Sequence, residues 1–295
     1  MAYQTIIYDK EAPIATITLN RPEKLNAIND LMLREIEAAL DEADSDDEIR
    51  FVIIKGAGRC FSAGQDLSGG GASEIMPPDP RLKASLTPIF KQDAKLMERW
   101  QHIFSHSMLM VAQVHGYCLG MGCDLMMMCR TVIASDDAIF GDPSVRMGYA
   151  TANPLWTWRV GPKKAKELLF TGRHIDAREA YDIGLVNLVV PRDRLEAEVD
   201  LAIEAMDLGA GGIAGADATA GFLTFGGAAY NLAGLGAAWA FAAGLHAISA
   251  VQRRGFAPGE FNFWEAQDRL GMKGAIAERD APYEKLFPIH EGGAA

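Results

Sequence analysis

Two glycine-rich junctions carry most of the chemistry this sequence suggests. The first, Gly56-Ala-Gly-Arg-Cys-Phe-Ser-Ala-Gly-Gln-Asp-Leu67, follows a short apolar run. Glycines there let the chain turn sharply and bring backbone N–H groups close to a ligand. The spacing is not the dinucleotide fingerprint G-x-G-x-x-G, because position 61 is Phe, and no Gly-Lys-Ser/Thr of a P-loop is present. The second junction, His115-Gly-Tyr-Cys-Leu-Gly-Met-Gly-Cys-Asp124, reads as a strand running into a helix. The free N–H groups of a helix N-terminus attract negative charge. Two N–H donors converging from separate loops make an oxyanion hole. Taken singly, each junction reads first as plain turn chemistry, and Asp124 as a helix cap.

The surrounding pattern supplies elements that could hold these junctions. Ile14–Asn20 is rich in β-branched residues and reads as a strand. Asn29 can cap a helix in which Leu33, Ile36 and Leu40 repeat at helical spacing. Phe51–Lys55 is a continuous apolar run, the mark of a strand buried on both faces. Residues 69–80 form a Gly/Pro-rich loop containing Glu74, and a helix follows from about Pro88 to Ser105. Strands are then expected at 110–114, 131–134, 139–140 and 185–190. Helices are expected at 120–130, 162–170 and 176–183, and from Pro191 to about Met206. This alternation argues for an α/β protein with crossover connections. Residues 209–245 are rich in Gly and Ala, with Asp217 the one charge before Arg253. Their apolar content is wrong for a membrane span, so a closely packed helical region or an oligomer interface is expected. Phe261–Leu286 reads as an amphipathic helix.

Composition narrows the function. The 295 residues hold 28 Lys+Arg against 39 Asp+Glu, a net charge of −11, which lacks a global basic footprint for nucleic acid. Cys60, Cys118, Cys123 and Cys129 form no C-x-x-C pair, and no His lies at zinc-finger spacing. They read as small buried hydrophobes of a reduced cytoplasm, and no metal site is expected. The first residues lack the basic and apolar regions of a signal peptide.

The junctions are far more specific together. Asn20-Arg-Pro-Glu-Lys-Leu-Asn-Ala27, the Phe-Ser-Ala-Gly-Gln-Asp-Leu run and His-Gly-Tyr-Cys-Leu-Gly-Met-Gly-Cys-Asp-Leu, in this order, resemble the crotonase superfamily of enoyl-CoA hydratases and isomerases. Phe140-Gly-Asp-Pro-Ser-Val-Arg-Met-Gly148 is similar to that family's segment beside the active site, and Leu168–Asn187 to its "LTG…A…A…GLV" signature. The resemblance covers about residues 10–205. It implies a crotonase-like spiral of repeated β-β-α units over residues 1–205. Residues 206–295 would form a helical C-terminal region that makes trimers, often paired into hexamers, and shapes the acyl pocket. It also implies an acyl-CoA substrate, with coenzyme A as part of that substrate and no separate cofactor.

By position in that family, the oxyanion donors are the amides of Gln65 and Met121, with the Met121 side chain turned away from the thioester. The CoA nucleotide is expected against Arg21, Lys24, Leu25, Ala63, Asp66 and Leu67. Family hydratases carry two glutamates. The first position is Asp124 here, one methylene shorter, and the second is Ser144. The Asp used by relatives acting on aromatic thioesters falls at Thr151. Asp124 is therefore the expected base or water-orienting group, with Ser144 orienting water or substrate. Asp142 reads as a turn residue or as a replacement acid. Tyr149 and Trp156 read as pocket or core aromatics, Glu74 as a residue able to swing in, and His115 as structural. The leading function is hydration or dehydration of an enoyl-CoA. The alternatives are a crotonase-type hydrolase or decarboxylase on a CoA thioester or β-diketone, and a non-catalytic acyl-CoA-binding protein. A protein with no membrane or nucleic-acid partner is expected. With a net charge of −11, the anionic CoA must be bound by local cations, the candidates being Arg21, Lys24, Arg59 and Lys273.

Overall fold

The computed structural model describes residues 3–69, 86–151, 153–210, 230, 233–251 and 259–287. Glu74 and most of the Gly/Pro loop lie outside these residues, as do 211–229 of the Gly/Ala-rich stretch.

A six-stranded sheet forms the frame. Its order is β1 (Ile6–Glu11), β2 (Ile14–Leu19), β3 (Phe51–Gly56), β4 (Leu109–Val114), β6 (Thr131–Ser135) and β9 (Leu188–Val190). The β1–β2 pair is antiparallel and every later pair is parallel. A three-stranded sheet joins β5 (Tyr117–Leu119), β7 (Ile139–Gly141) and β8 (Ile175–Asp176).

Strand β3 shows why the apolar run was needed. Its side chains alternate between faces. Val52 and Ile54 enter the main core, with Met32, Ile36, Leu40, Met110 and Ala112. Phe51 and Ile53 enter a second core, closed by Leu195, Val199 and Ile203 of helix α6 (Leu195–Ala210). Both faces are thus covered, as parallel sheets require.

Helix α1 (Asp30–Asp44) starts where the Asn29 side chain accepts a 2.9 Å bond from the Met32 amide, and it buries Met32, Leu33, Ile36, Ala39, Leu40 and Ala43. Helix α2 (Leu86–Ser105) packs against α1 and α3 (Met121–Met128), and most extensively against α7 (Leu235–Val251). The part of the Gly/Ala-rich stretch that is described, α7, is therefore a packed helix. Helix α8 (Phe263–Leu286) folds back onto the turn Pro143–Met147. Its Phe263, Ala266 and Ala275 form a third cluster with Leu67 and Met147.

The structure corrects several boundaries. Strands β1 and β8 were not read from the sequence, because β1 is mostly exposed and β8 is two residues long. Helix α4 (Leu155–Thr171) begins seven residues before Pro162, and Gly161, at φ 76°, interrupts it. Helix α5 (Ala177–Asp182) ends with Gly184 at φ 77°, and Leu185 donates back to the Ala180 carbonyl at 2.8 Å. That C-terminal lock holds Leu185 out of the strand expected to start there. Pro191 leads into the short turn Arg192–Arg194, and α6 starts only at Leu195. Among the described residues, no helix is long and apolar enough to cross a membrane. All four cysteines are buried and unbridged.

Candidate active site

The two glycine-rich junctions lie side by side. Ser62 donates to the Tyr117 carbonyl at 2.9 Å and accepts at its own carbonyl from Leu119 at 3.0 Å. This parallel bridge carries both chains to Gly64 and Gly120, at φ 104° and 48°. A methyl group on Gly64 would meet the Leu119 carbonyl oxygen at 2.9 Å, and one on Gly120 would lie 3.9 Å from the Gly64 Cα. Only glycine permits both the conformation and this approach.

The residues that follow these glycines are the expected donors. Gly64 gives its carbonyl to the Ile28 amide at 2.7 Å, and Asp66 donates to the Ile28 carbonyl at 2.8 Å. The intervening Gln65 amide stands outside that bridge. Met121 opens α3, whose first backbone bond runs from the Asp124 amide to the Gly120 carbonyl at 3.0 Å. Its N–H therefore precedes the intrahelical ladder. The Met121 side chain is partly buried and packs on the main core. The amides of Gln65 and Met121 thus each adjoin one glycine of the Gly64–Gly120 approach.

Asp124 stands in the first turn of α3 and is buried. Burial pushes its carboxyl well above the ordinary carboxylate range, the charge of Asp142 adds to the rise, and the Asn153 amide opposes it. Among the described residues, its Oδ1 has no hydrogen-bond partner, nor does the Asn153 Nδ2. Asp142 is also buried. It follows Gly141, whose carbonyl accepts from the Gly120 amide at 2.8 Å and so ties the segment to the start of α3. The Asp142 Oδ1 caps the turn at Pro143–Met147, accepting from the Ser144 amide at 2.9 Å and from the Ser144 hydroxyl. Asp142 is thus a turn residue, one of the two readings the sequence left open, and its charge acts on Asp124. The Ser144 hydroxyl is spent on Asp142.

The loop bearing the CoA candidates is held from beneath. Asn26, fully buried at φ 53°, donates to the Ala57 and Cys60 carbonyls at 2.8 and 2.9 Å and accepts from the Arg21 amide at 3.0 Å. Ala63 donates to the carbonyl of Leu25, itself at φ 53°. Arg21 pairs with Asp66 at 2.7 Å and binds the Ala27 carbonyl. Burial pushes the Asp66 carboxyl up, but the bonds from Ser68 and Arg21 outweigh it and hold it below its ordinary value. Arg21 is thus largely neutralised. Lys24, half-exposed, reaches the Ser68 hydroxyl at 2.8 Å with Asp66 at 3.9 Å, and Arg59 is exposed. Leu67 packs under α8, which carries the exposed Lys273.

His115 is structural as expected. Its Nε2 lies 3.1 Å from the Gly58 carbonyl, its own carbonyl accepts from Phe61, and burial lowers its pKa. Trp156 lies fully buried in the main core. Asn26 and Asn153 were not singled out from the sequence. Asn26 lay within the quoted loop motif. Asn153 was readable as a cap before Pro154, had the start of α4 been recognised: its Oδ1 accepts from the Leu155 amide at 2.8 Å.

Residues 9–209 match the family model for enoyl-CoA hydratase/isomerase. The chain belongs to the enoyl-CoA hydratase/isomerase family. Its relatives include a "Probable enoyl-CoA hydratase" of Rhizobium meliloti, 36% identical over 201 residues, which are 67% of this chain and 73% of the relative. A "Crotonyl-CoA hydratase" of Syntrophomonas wolfei is 36% identical over 204 residues, 68% of this chain and 74% of the relative. The similarity in structure extends further along the chain. An enoyl-CoA hydratase from Mycobacterium smegmatis superposes with a TM-score of 0.83 at 26% identity, covering 95% of this chain and 94% of that one. The crotonase fold of this family member thus includes its C-terminal helices, beyond the reach of the sequence match.

Proposed function

We propose that the protein adds water across the double bond of an enoyl-CoA thioester, and removes it in reverse, with the thioester oxygen held by the Gln65 and Met121 amides. The observation that carries this reading is the contact of Gly64 with Gly120, with Asp124 buried one turn beyond. As water attacks Cβ, negative charge moves onto the thioester oxygen, and two aimed N–H groups stabilise the resulting enolate.

The proton work falls to Asp124 and Asp142. Burial and the charge of Asp142 raise the Asp124 carboxyl, so the proton of the pair is assigned to Asp124. The ionised member accepts a proton from the attacking water, and the protonated member delivers one to Cα. The product is a β-hydroxyacyl thioester, and the pair still holds one proton. Asp142 would thereby do the work of the second glutamate, in place of Ser144. The Asn153 amide orients the Asp124 carboxyl.

The CoA phosphates are assigned to Lys24, with Arg59 and Lys273 within the same local set, while Arg21 and Asp66 shape the loop. A homotrimer, or a hexamer of paired trimers, is the proposed assembly. Exposed Leu201 and Leu208 on α6 and Phe241 on α7 support it.

A panel of enoyl-CoA thioesters read by mass spectrometry tests the function. A product heavier by one water, with CoA still attached, supports it. Free CoA with a released acid would mean a hydrolase, and binding without any product a non-catalytic protein.

A further inference from the structure

Helices α1 and α2 bring a second set of chemically capable side chains together, away from the Gly64–Gly120 contact. His102 stands in the last turn of α2 and His106 directly follows that helix, four residues on. On α1, Glu37 and Asp41 have the same spacing. The two pairs meet. Asp41 Oδ1 lies 3.2 Å from His102 Nε2 and 3.3 Å from His106 Nε2, and the two imidazole rings are 5.6 Å apart.

We propose that Asp41, His102 and His106 form a binding site for a divalent ion of the zinc class, fastening α1 to α2. The donor atoms of the three lie within 4.8 Å of one another. Ions of this class bind His and Asp at about 2.0–2.2 Å in a tetrahedron, whose edges are then about 3.3–3.6 Å. The two Nε2–Oδ1 separations fall at or just below that edge, so little movement is needed to admit the ion.

Surrounding groups suit the site as well. A ligating imidazole generally places its other nitrogen against a carboxylate, which fixes the tautomer that leaves a lone pair for the metal. His102 Nδ1 lies 3.5 Å from Glu37 Oε1, and His106 Nδ1 lies 4.0 Å from Asp44 Oδ1. The His106 side chain is only 5% exposed, and its Nδ1 makes no hydrogen bond. Asp41 and His102 are open to solvent, at 58% and 46%, which leaves a position for water as fourth ligand. Two imidazoles and one carboxylate favour zinc, nickel, cobalt or copper over magnesium or calcium, which prefer all-oxygen sites. The expectation of no metal site rested on cysteine and zinc-finger spacing. Two histidines four apart at a helix end, facing a carboxylate on another helix, form a different pattern.

Because α2 packs on α3, an ion here would brace the helix that carries Asp124 without touching substrate. The full chain, stripped with a chelator, is titrated with Zn²⁺ by calorimetry, and its thermal midpoint is followed. The expected result is one ion per chain, a rise of a few degrees in Tm, and no competition from excess Mg²⁺. His102→Ala and Asp41→Ala should each weaken binding at least tenfold and leave turnover of the metal-free protein unchanged. Absence of binding would show that the two imidazoles only hydrogen-bond Asp41. Equal affinity in His102→Ala would place the ion elsewhere. Either result overturns the proposal.

Discussion

Gly64 and Gly120 sit so close that a methyl group added to Gly120 would lie 3.9 Å from the Gly64 Cα. This contact joins two loops more than fifty residues apart in sequence, each followed by one of the proposed donors, Gln65 and Met121. Gly64→Ala should break it. The new methyl meets the Leu119 carbonyl at 2.9 Å, on a backbone with φ 104°. Loss of one oxyanion donor costs ~10²–10³ in kcat, and a loss of that order is expected with the variant still folded by circular dichroism. Unchanged kcat would remove the contact from the catalytic account.

Asp124 gives a stability prediction with a definite sign. Its folded-state pKa lies above the unfolded value of about 3.9. Between those values the native state binds more protons than the unfolded chain. The contribution of this group to stability therefore falls as pH rises through that window. Asp124→Asn lacks this loss and keeps the shape of the protonated acid. The Tm of the variant minus that of the parent should grow from pH 4 to pH 8. A difference that shrinks with pH would mean that Asp124 is ionised at no cost.

Lys24 and Arg21 should behave differently, although both belong to the CoA loop. Among the described residues, Lys24 is bound through Ser68 and a 3.9 Å approach to Asp66, so its charge is available to a phosphate. A charged hydrogen bond is worth about 1.5–3 kcal/mol, so Lys24→Glu should raise the Kd for CoA at least about tenfold with little change in Tm. Arg21→Ala frees the buried Asp66 and unties the loop, so it should lower Tm as well. Equal effects of the two variants on Tm would show that Lys24, too, is structural.

Much of this site was legible in the sequence because glycines mark it. Gly64 and Gly141 stand where a side chain would strike a backbone, Gly120 holds a left-handed φ of 48°, and residue type alone records these demands. The two-faced burial of β3 was equally visible, since its apolar run leaves no polar face. For Asp142 the sequence left two readings open, a turn residue or a replacement acid. Its identity suits a turn before proline, and only the bond from Gly120 to the Gly141 carbonyl places it beside Asp124. Helix α4 was misjudged because Gly161 and Pro162 look like a start, whereas the helix enters earlier through the Asn153 cap. The His102–Asp41 approach lies between two helices, and a pattern within one helix cannot reveal it.

The central claim is that water adds to an enoyl-CoA held by Gln65 and Met121, with Asp124 handling the proton. The most direct measurement is incubation of a reactive enoyl-CoA in ¹⁸O-labelled water with the parent protein and with Asp124→Asn, followed by mass spectrometry of the intact thioester. The account predicts one ¹⁸O in the hydroxyl group at Cβ of a CoA-bound product. It also predicts no product from Asp124→Asn, which should still bind acyl-CoA. Label in a released carboxylate, or undiminished turnover by Asp124→Asn, would contradict it.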